Sequence, residues 1–212
     1  MVIIEKVRET ARIIHASSKG SHDWEHTLRV YKLAVHIAKA EEAGLLVVKL
    51  ASLLHDIARG EEDKSGGKID HATAGARQAF GILKSLGVSD DTAARAVHCI
   101  ETHRFRGGAK PLSKEAKVLF DADKLDSIGA VGIGRAFLFA GEVGAKLHNK
   151  RKDILGTKAY TEEDTAYREY MVKLRHVKSR MLTKTGKRLA VKRHKFMESF
   201  FCRLNSEVDG KI

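Results

Sequence analysis

Proline is almost absent: Pro111 is alone in 212 residues, and aromatic residues make up only 6%. A chain so poor in helix-breakers and strand-formers, and so rich in Ala, Leu, Lys, Arg and Glu, is predicted to be all-α. Cysteine is also scarce. Cys99 and Cys202 sit in no metal-type spacing, read as small core residues, and give no sign of a secreted disulfide scaffold. No uncharged apolar run approaches the roughly 18 residues that a membrane-spanning helix needs. The opening MVIIEKVRETARIIH carries charge in every turn, which excludes the apolar core of a signal peptide. A soluble, cytoplasmic protein with no membrane partner is expected.

Acidic residues are missing from one long stretch. Met171–Lys195 holds ten Lys or Arg and no Asp or Glu, whereas the first 60 residues are roughly balanced. The net charge of +12 therefore belongs mostly to the C-terminal region. Such an excess suits a nucleic-acid partner or an enzyme whose substrate carries several phosphates. The tract lacks the interleaved aromatics on which single-stranded bases stack. Its Met171, Val172, Leu174, Val177, Met181, Leu182 and Leu189 instead suggest a helix packed on the core with a solvated basic face. Nucleic acid is thus the weaker expectation, and a homodimer is left open.

The remaining 43% hydrophobic and 31% charged residues are an ordinary globular balance for one domain spanning 1–212. Residues 3–16 read as an amphipathic helix. KGSHD is a break, with Ser21 or Asp23 as cap for a helix from Trp24 to about Ala43, and Gly44 ends it. LLVVKLASLLHDI follows as a mostly buried helix, then EEDKSGGK as a polar loop. Further helices are predicted over 70–86 (ended by Gly87), 89–104 (begun by Ser89 or Asp90), 113–140, 161–182 and 184–207, the last two joined at TKTGKR. IGAVGIG follows no strand and precedes no Lys-Ser/Thr, so it reads as close helix packing rather than a phosphate loop.

Eleven histidines are many for this length. His26 lies in HDWEHTLRV, His55 and Asp56 end the apolar LASLLHDIARG, and Asp123 lies in FDADKLDSIG. An apolar helix finishing in His-Asp needs a reason, because an ionisable pair is costly to bury without partners. A divalent cation would supply it, since imidazole and carboxylate suit Zn, Mn, Fe, Co or Ni. Spacing alone leaves equal room for a hydrogen-bonded helix terminus at His55-Asp56 and a surface carboxylate at Asp123.

Together, HDWEHTLRV, LASLLHDIARG and FDADKLDSIGAVGIGRAF resemble the HD superfamily of phosphohydrolases. HATAGA, IETHRF and the basic MLTKTGKRLAVKRHKFMESFF extend the likeness to the YedJ/YpgQ-like branch, over nearly the whole chain. The resemblance implies a compact helical bundle, with a metal core at about 20–140 and a basic helical extension at about 160–208. The ordered set His … His-Asp … Asp maps onto His26, His55, Asp56 and Asp123 as ligands of one divalent ion, with Mn favoured and Ni, Co, Fe, Zn or Mg open. It also implies hydrolysis of a phosphoester or phosphoanhydride. The favoured substrate is a (deoxy)nucleoside triphosphate cleaved to monophosphate and pyrophosphate, with monophosphate or cyclic-nucleotide hydrolysis as alternatives.

Other roles follow the same likeness. Lys124, directly after the last ligand, maps onto a phosphate-contacting lysine of related enzymes, with an ordinary surface lysine as the alternative. Asp126 falls on the helical face of Asp123, where it would orient a ligand or pair with a lysine. Some HD enzymes add histidines to hold a second metal. Here His98 and His103 are five apart rather than adjacent, so that pattern is not cleanly met. His71 and His103 are expected instead as general acid or phosphate-contacting groups beside Asp56, and His71 reads equally as a helix start with no catalytic role. Arg59, Arg104, Arg106 and Lys110 would line a basic mouth, or form a solvated loop. Asp23 would orient His26 or cap its helix. His15, His22, His36, His148, His176 and His194 have no motif context.

Overall fold

The computed structural model describes residues 2–16, 23–104, 109–150 and 154–212. Among them there are helices and turns and no strand, as the composition predicts. The chain forms two compact units, Met1–Asp123 and Lys124–Ile212. No helix among the described residues is long and apolar enough to cross a membrane.

The first unit is built from α1 (Val2–His15), α2 (Trp24–Ala40), α3 (Leu45–Leu54), α4 (Arg59–Lys64), α5 (His71–Ser85), α6 (Asp90–Glu101) and most of α7 (Lys114–Asp126). Helix α3 is apolar nearly all round, and Val47, Val48, Leu50, Ala51, Ser52, Leu53 and Leu54 are all buried. A helix with no polar face has to be enclosed. Accordingly α1, α2 and α6 pack against it, and α5 packs on α6. Each buried Leu or Val contributes about 1.5–3 kcal/mol of burial. This helix ends at Leu54 and hands the next two residues, His55 and Asp56, to the interior.

Side-chain caps set where several helices begin. Asp23 accepts from the His26 backbone N–H at 2.9 Å, so it caps α2. Asp70 accepts from Thr73 N at 2.9 Å and starts α5 at His71. Ser89 caps α6 through Thr92 N. Ser21, the alternative cap for α2, lies outside the described residues.

The second unit contains α8 (Gly129–Glu142), a short 3-10 turn at Ile154–Gly156, α9 (Ala166–Val172), a 3-10 helix at Leu174–Arg180, and α10 (Lys184–Val208). Helix α10 packs on α8 and on the 3-10 helix, and α9 on both α8 and that 3-10 helix. Buried Leu174, Val177, Met197 and Phe201 form the apolar faces of this unit. A buried pair, Arg168 to Asp164 at 2.7 Å, is joined by Thr157, whose carbonyl and hydroxyl accept from the same guanidinium.

Three elements differ from the sequence reading. The predicted loop EEDKSGGK begins with a helix, α4, which buries none of its residues and so has no apolar periodicity to reveal it. The helix predicted over 113–140 is two, because Ile128 is extended (φ −130°, ψ 164°) and Gly129 takes φ +80°. The helix predicted over 161–182 is the short α9 and a 3-10 helix, broken at Lys173 (φ −136°, ψ −58°). The chain is extended at Met181 before Thr183 caps α10 through Gly186 N at 2.9 Å.

The glycine-rich stretch lies against a second helix at Gly129, beside Arg193 of α10, whereas Gly132 clears its own turn. A Cβ there would stand 2.2 Å from the Ser127 carbonyl oxygen, in the turn between α7 and α8. Gly132→Ala is therefore expected to destabilise the protein by about 1–3 kcal/mol, the usual cost of forcing extra volume into a filled site. Chemical denaturation would check it, and an unchanged midpoint would show that the turn relaxes freely.

Candidate metal centre

Four helix ends of the first unit meet at the Asp56 carboxylate, and α7 adds Asp123 beside His26. His26 is in the first turn of α2, His55 and Asp56 follow α3, His71 opens α5, His103 follows α6, and Asp123 lies near the end of α7. The four histidines and Asp56 are buried, with His55 fully enclosed and Asp56 only 4% exposed. Asp123 is half-buried.

The two oxygens of Asp56 face different ways. Its Oδ2 lies 3.5 Å from His26 Nε2 and 3.5 Å from His55 Nε2. Its Oδ1 lies 3.2 Å from His71 Nε2 and 3.4 Å from His103 Nε2. His26 Nε2 is also 3.4 Å from Asp123 Oδ1 and 3.3 Å from His55 Nε2. His71 and His103 approach each other, Nε2 to Nε2, at 3.3 Å. Two three-residue groups thus have donor spacing suited to a metal ion: His26, His55 and Asp123, and Asp56, His71 and His103.

The outer nitrogens of three rings are already committed. His55 Nδ1 donates to the Ser52 carbonyl at 2.8 Å, and His103 Nδ1 to the Ile100 carbonyl at 2.5 Å. His71 Nδ1 donates to the Glu62 carboxylate. Carbonyls and carboxylates only accept, so each Nδ1 carries the proton and each neutral ring turns a lone pair inward at Nε2. His71 and His103 can then hydrogen-bond to each other only if one ring is charged. A divalent cation between such lone pairs removes the conflict, and imidazole with carboxylate is the donor set that transition-type divalent ions accept. The residues fit a metal.

Electrostatics at His55 point the same way. Burial pushes the His55 imidazole down to about 4, so it stays neutral and available as a donor. For Asp56 burial acts to raise the carboxyl, but the imidazoles around it, His55 first and then His103, His26 and His71, outweigh burial. They hold Asp56 well below the usual carboxylate range. Burial opposes charge on His71 too, and there Asp56 and Glu62 outweigh it to raise the imidazole.

The other expected residues are more scattered. Lys124 is half-buried, next to Asp123 on α7. Asp126 is buried and paired with Arg135 at 2.8 Å. Arg59 pairs with Asp63 at 3.2 Å. Arg104 is held by Glu62 and Asp70. Lys110 is exposed, and Arg106 and His22 lie outside the described residues. His98 stands apart from the cluster, accepting from Leu112 N at 3.4 Å. Sequence reasoning missed Glu62, because an acidic residue in a polar segment carries no signal of the imidazole it will meet.

The HD domain family model matches residues 23–128, the segment that supplies every one of these donors. A protein of Bacillus subtilis (strain 168), YpgQ, is 35% identical over 210 residues, covering 97% of this chain and 94% of its own. The crystal structure of Bacillus subtilis YpgQ in complex with ADP superposes with a TM-score of 0.76 at 31% identity, covering 99% of this chain and 100% of that one. An HD-superfamily hydrolase from Bacillus thuringiensis gives a TM-score of 0.75 at 27% identity, covering 97% and 96%. On the family match and on relatives aligned end to end, the chain belongs to the HD-domain family.

Proposed function

We propose that this protein is a metal-dependent phosphohydrolase of nucleotides, cleaving a (deoxy)nucleoside triphosphate to monophosphate and pyrophosphate. The observation that carries the reading is the pair of buried donor groups divided by Asp56. His26, His55, Asp56 and Asp123 would hold a divalent cation, with Mn favoured among the ions such donors accept. When bound, a cation at this site supplies an activated water and offsets negative charge growing on phosphoryl oxygens.

The same geometry favours a second cation position, made by Asp56 Oδ1, His71 and His103. With its Nδ1 proton committed, a neutral His71 or His103 offers an inward acceptor rather than a proton. That argues against either neutral ring as general acid and for both as ligands. Lys124, half-buried beside Asp123, keeps the role of phosphate contact. Arg59 remains a candidate for the substrate side, although Asp63 already offsets its charge.

Nucleotide is the substrate class best supported, because ADP is the ligand in the solved complex of the Bacillus subtilis relative. The exposed Lys187, Arg188, Lys192 and Lys195 of α10 keep nucleic-acid binding as a weaker alternative. Product analysis separates the readings. Mn-reconstituted protein given nucleoside mono-, di- and triphosphates and cyclic nucleotides is expected to release pyrophosphate from triphosphates. Orthophosphate from monophosphates would move the assignment to a nucleotidase, and ring-opening alone to a cyclic-nucleotide phosphodiesterase.

A further inference from the structure

We infer that Glu62 and Arg104 are positioning residues for His71, and that Arg104 acts through Glu62 instead of on the substrate. The inference deepens the hydrolase reading and rests on it for its consequence, though its geometry stands alone. One oxygen of Glu62 receives two donors from a single residue, the backbone N–H of His71 at 3.2 Å and the Nδ1–H of its ring. The carboxylate therefore fixes both the start of α5 and the rotation of the imidazole. A carboxylate behind a histidine is the usual device for setting which ring nitrogen carries the proton.

Arg104 holds that carboxylate in place. Its Nη2 lies 3.2 Å from Glu62 Oε1 and its Nη1 3.3 Å from Oε2, a two-point contact that fixes the plane of the carboxylate. The same Nη1 donates to Asp70 Oδ2 at 2.5 Å. Asp70 uses its other oxygen to cap α5 at Thr73. One guanidinium, at the residue after His103, thus joins α4 and the first turn of α5 to the end of α6. It is 14% exposed and already faces two carboxylates, so its charge is more than cancelled locally. A guanidinium in that setting is a poor attractor for a phosphate.

The test reads the ring itself. Metal-free protein labelled with 15N-histidine is compared with Glu62→Ala, Glu62→Gln and Arg104→Ala by long-range 1H–15N NMR. In the unaltered protein the His71 Nδ1 proton is expected to be downfield and protected from exchange. Glu62→Ala should abolish that signal, Glu62→Gln should retain it weakened, and Arg104→Ala should broaden it. The His103 Nδ1 signal, held by the Ile100 carbonyl, should not move in any of them and reports an intact fold. Titration with Mn2+ alone should then show affinity falling by about 10–100-fold in Glu62→Ala, the usual effect of removing a partner behind a ligand.

An unchanged His71 signal in Glu62→Ala would overturn the inference. So would an Arg104→Ala variant with an unperturbed His71 and a raised KM for triphosphate, since Arg104 would then be touching substrate. The NMR arm needs neither metal nor turnover. Failure of the hydrolase reading would therefore leave its outcome standing and would show separately, as absent product.

Discussion

Replacing Asp56 with alanine is expected to strip the protein of bound metal and lower hydrolysis by about 10³-fold or more, on the several kcal/mol that a cation supplies to such reactions. The size of the effect comes from the division of labour within one carboxylate. Oδ2 stands before His26 and His55 and Oδ1 before His71 and His103, so the truncation damages both donor groups together. Asp123→Ala touches only the first group and should cost less. Asp56→Asn separates charge from shape, since the amide fills the same space but cannot act as an anionic bridge. Metal content by elemental analysis and pyrophosphate release are the readouts, with circular dichroism to confirm that the helices persist. Hydrolysis retained by a metal-free preparation of Asp56→Ala would sink the mechanism.

Asp164→Ala is expected to destabilise the second unit by about 3–5 kcal/mol, because it leaves a buried guanidinium without its counter-charge. Arg168 would keep its bonds to Thr157, but those partners are neutral. The same carboxylate also accepts from Tyr160 N at 2.8 Å, and Tyr160 sits at φ +58°, a conformation costly for a residue with a side chain. Losing the acceptor therefore releases a turn as well as an ion pair. Urea unfolding measures the effect. Asp209→Ala is the control: its partners, Lys150 and Lys211, are solvent-facing lysines, and the midpoint should stay where it was. A loss for Asp164→Ala no larger than for the control would show that Arg168 finds compensation elsewhere.

The sequence was most readable where one local rule decides the outcome. Asp23, Ser89 and Gly87 mark helix limits because caps and left-handed turns depend on one residue type at one position. The His55-Asp56 pair was conspicuous because polar residues at the end of an apolar helix have to be satisfied somewhere. Elsewhere the outcome turns on partners distant in the chain. Nothing near Gly129 says that the side chain it lies against is that of Arg193 on α10. Counting five residues from His98 to His103 speaks only to a pair of adjacent histidines, whereas the imidazole that His103 meets is His71 of another helix, and His98 accepts from Leu112 N. Adjacency in sequence does not report which side chains packing brings together. Arg104 shows a related limit: a basic residue near the site reads as a phosphate contact, and the two carboxylates that hold it come from elsewhere in the chain.

The donors are also dispersed in the order in which the chain is made. His26 lies in the first turn of α2 and Asp123 is the last residue of the first unit, with α3, α5 and α6 between them. Closing so long a loop costs entropy before any contact repays it, so the cluster forms only when the helices have packed. Before then each imidazole stands alone on a helix end and offers a cation little. Metal capture would in this way come last in folding, and the ion would then act as a lock. At a concentration about a hundredfold above its dissociation constant it would add about 2.7 kcal/mol to a state that it had no part in nucleating.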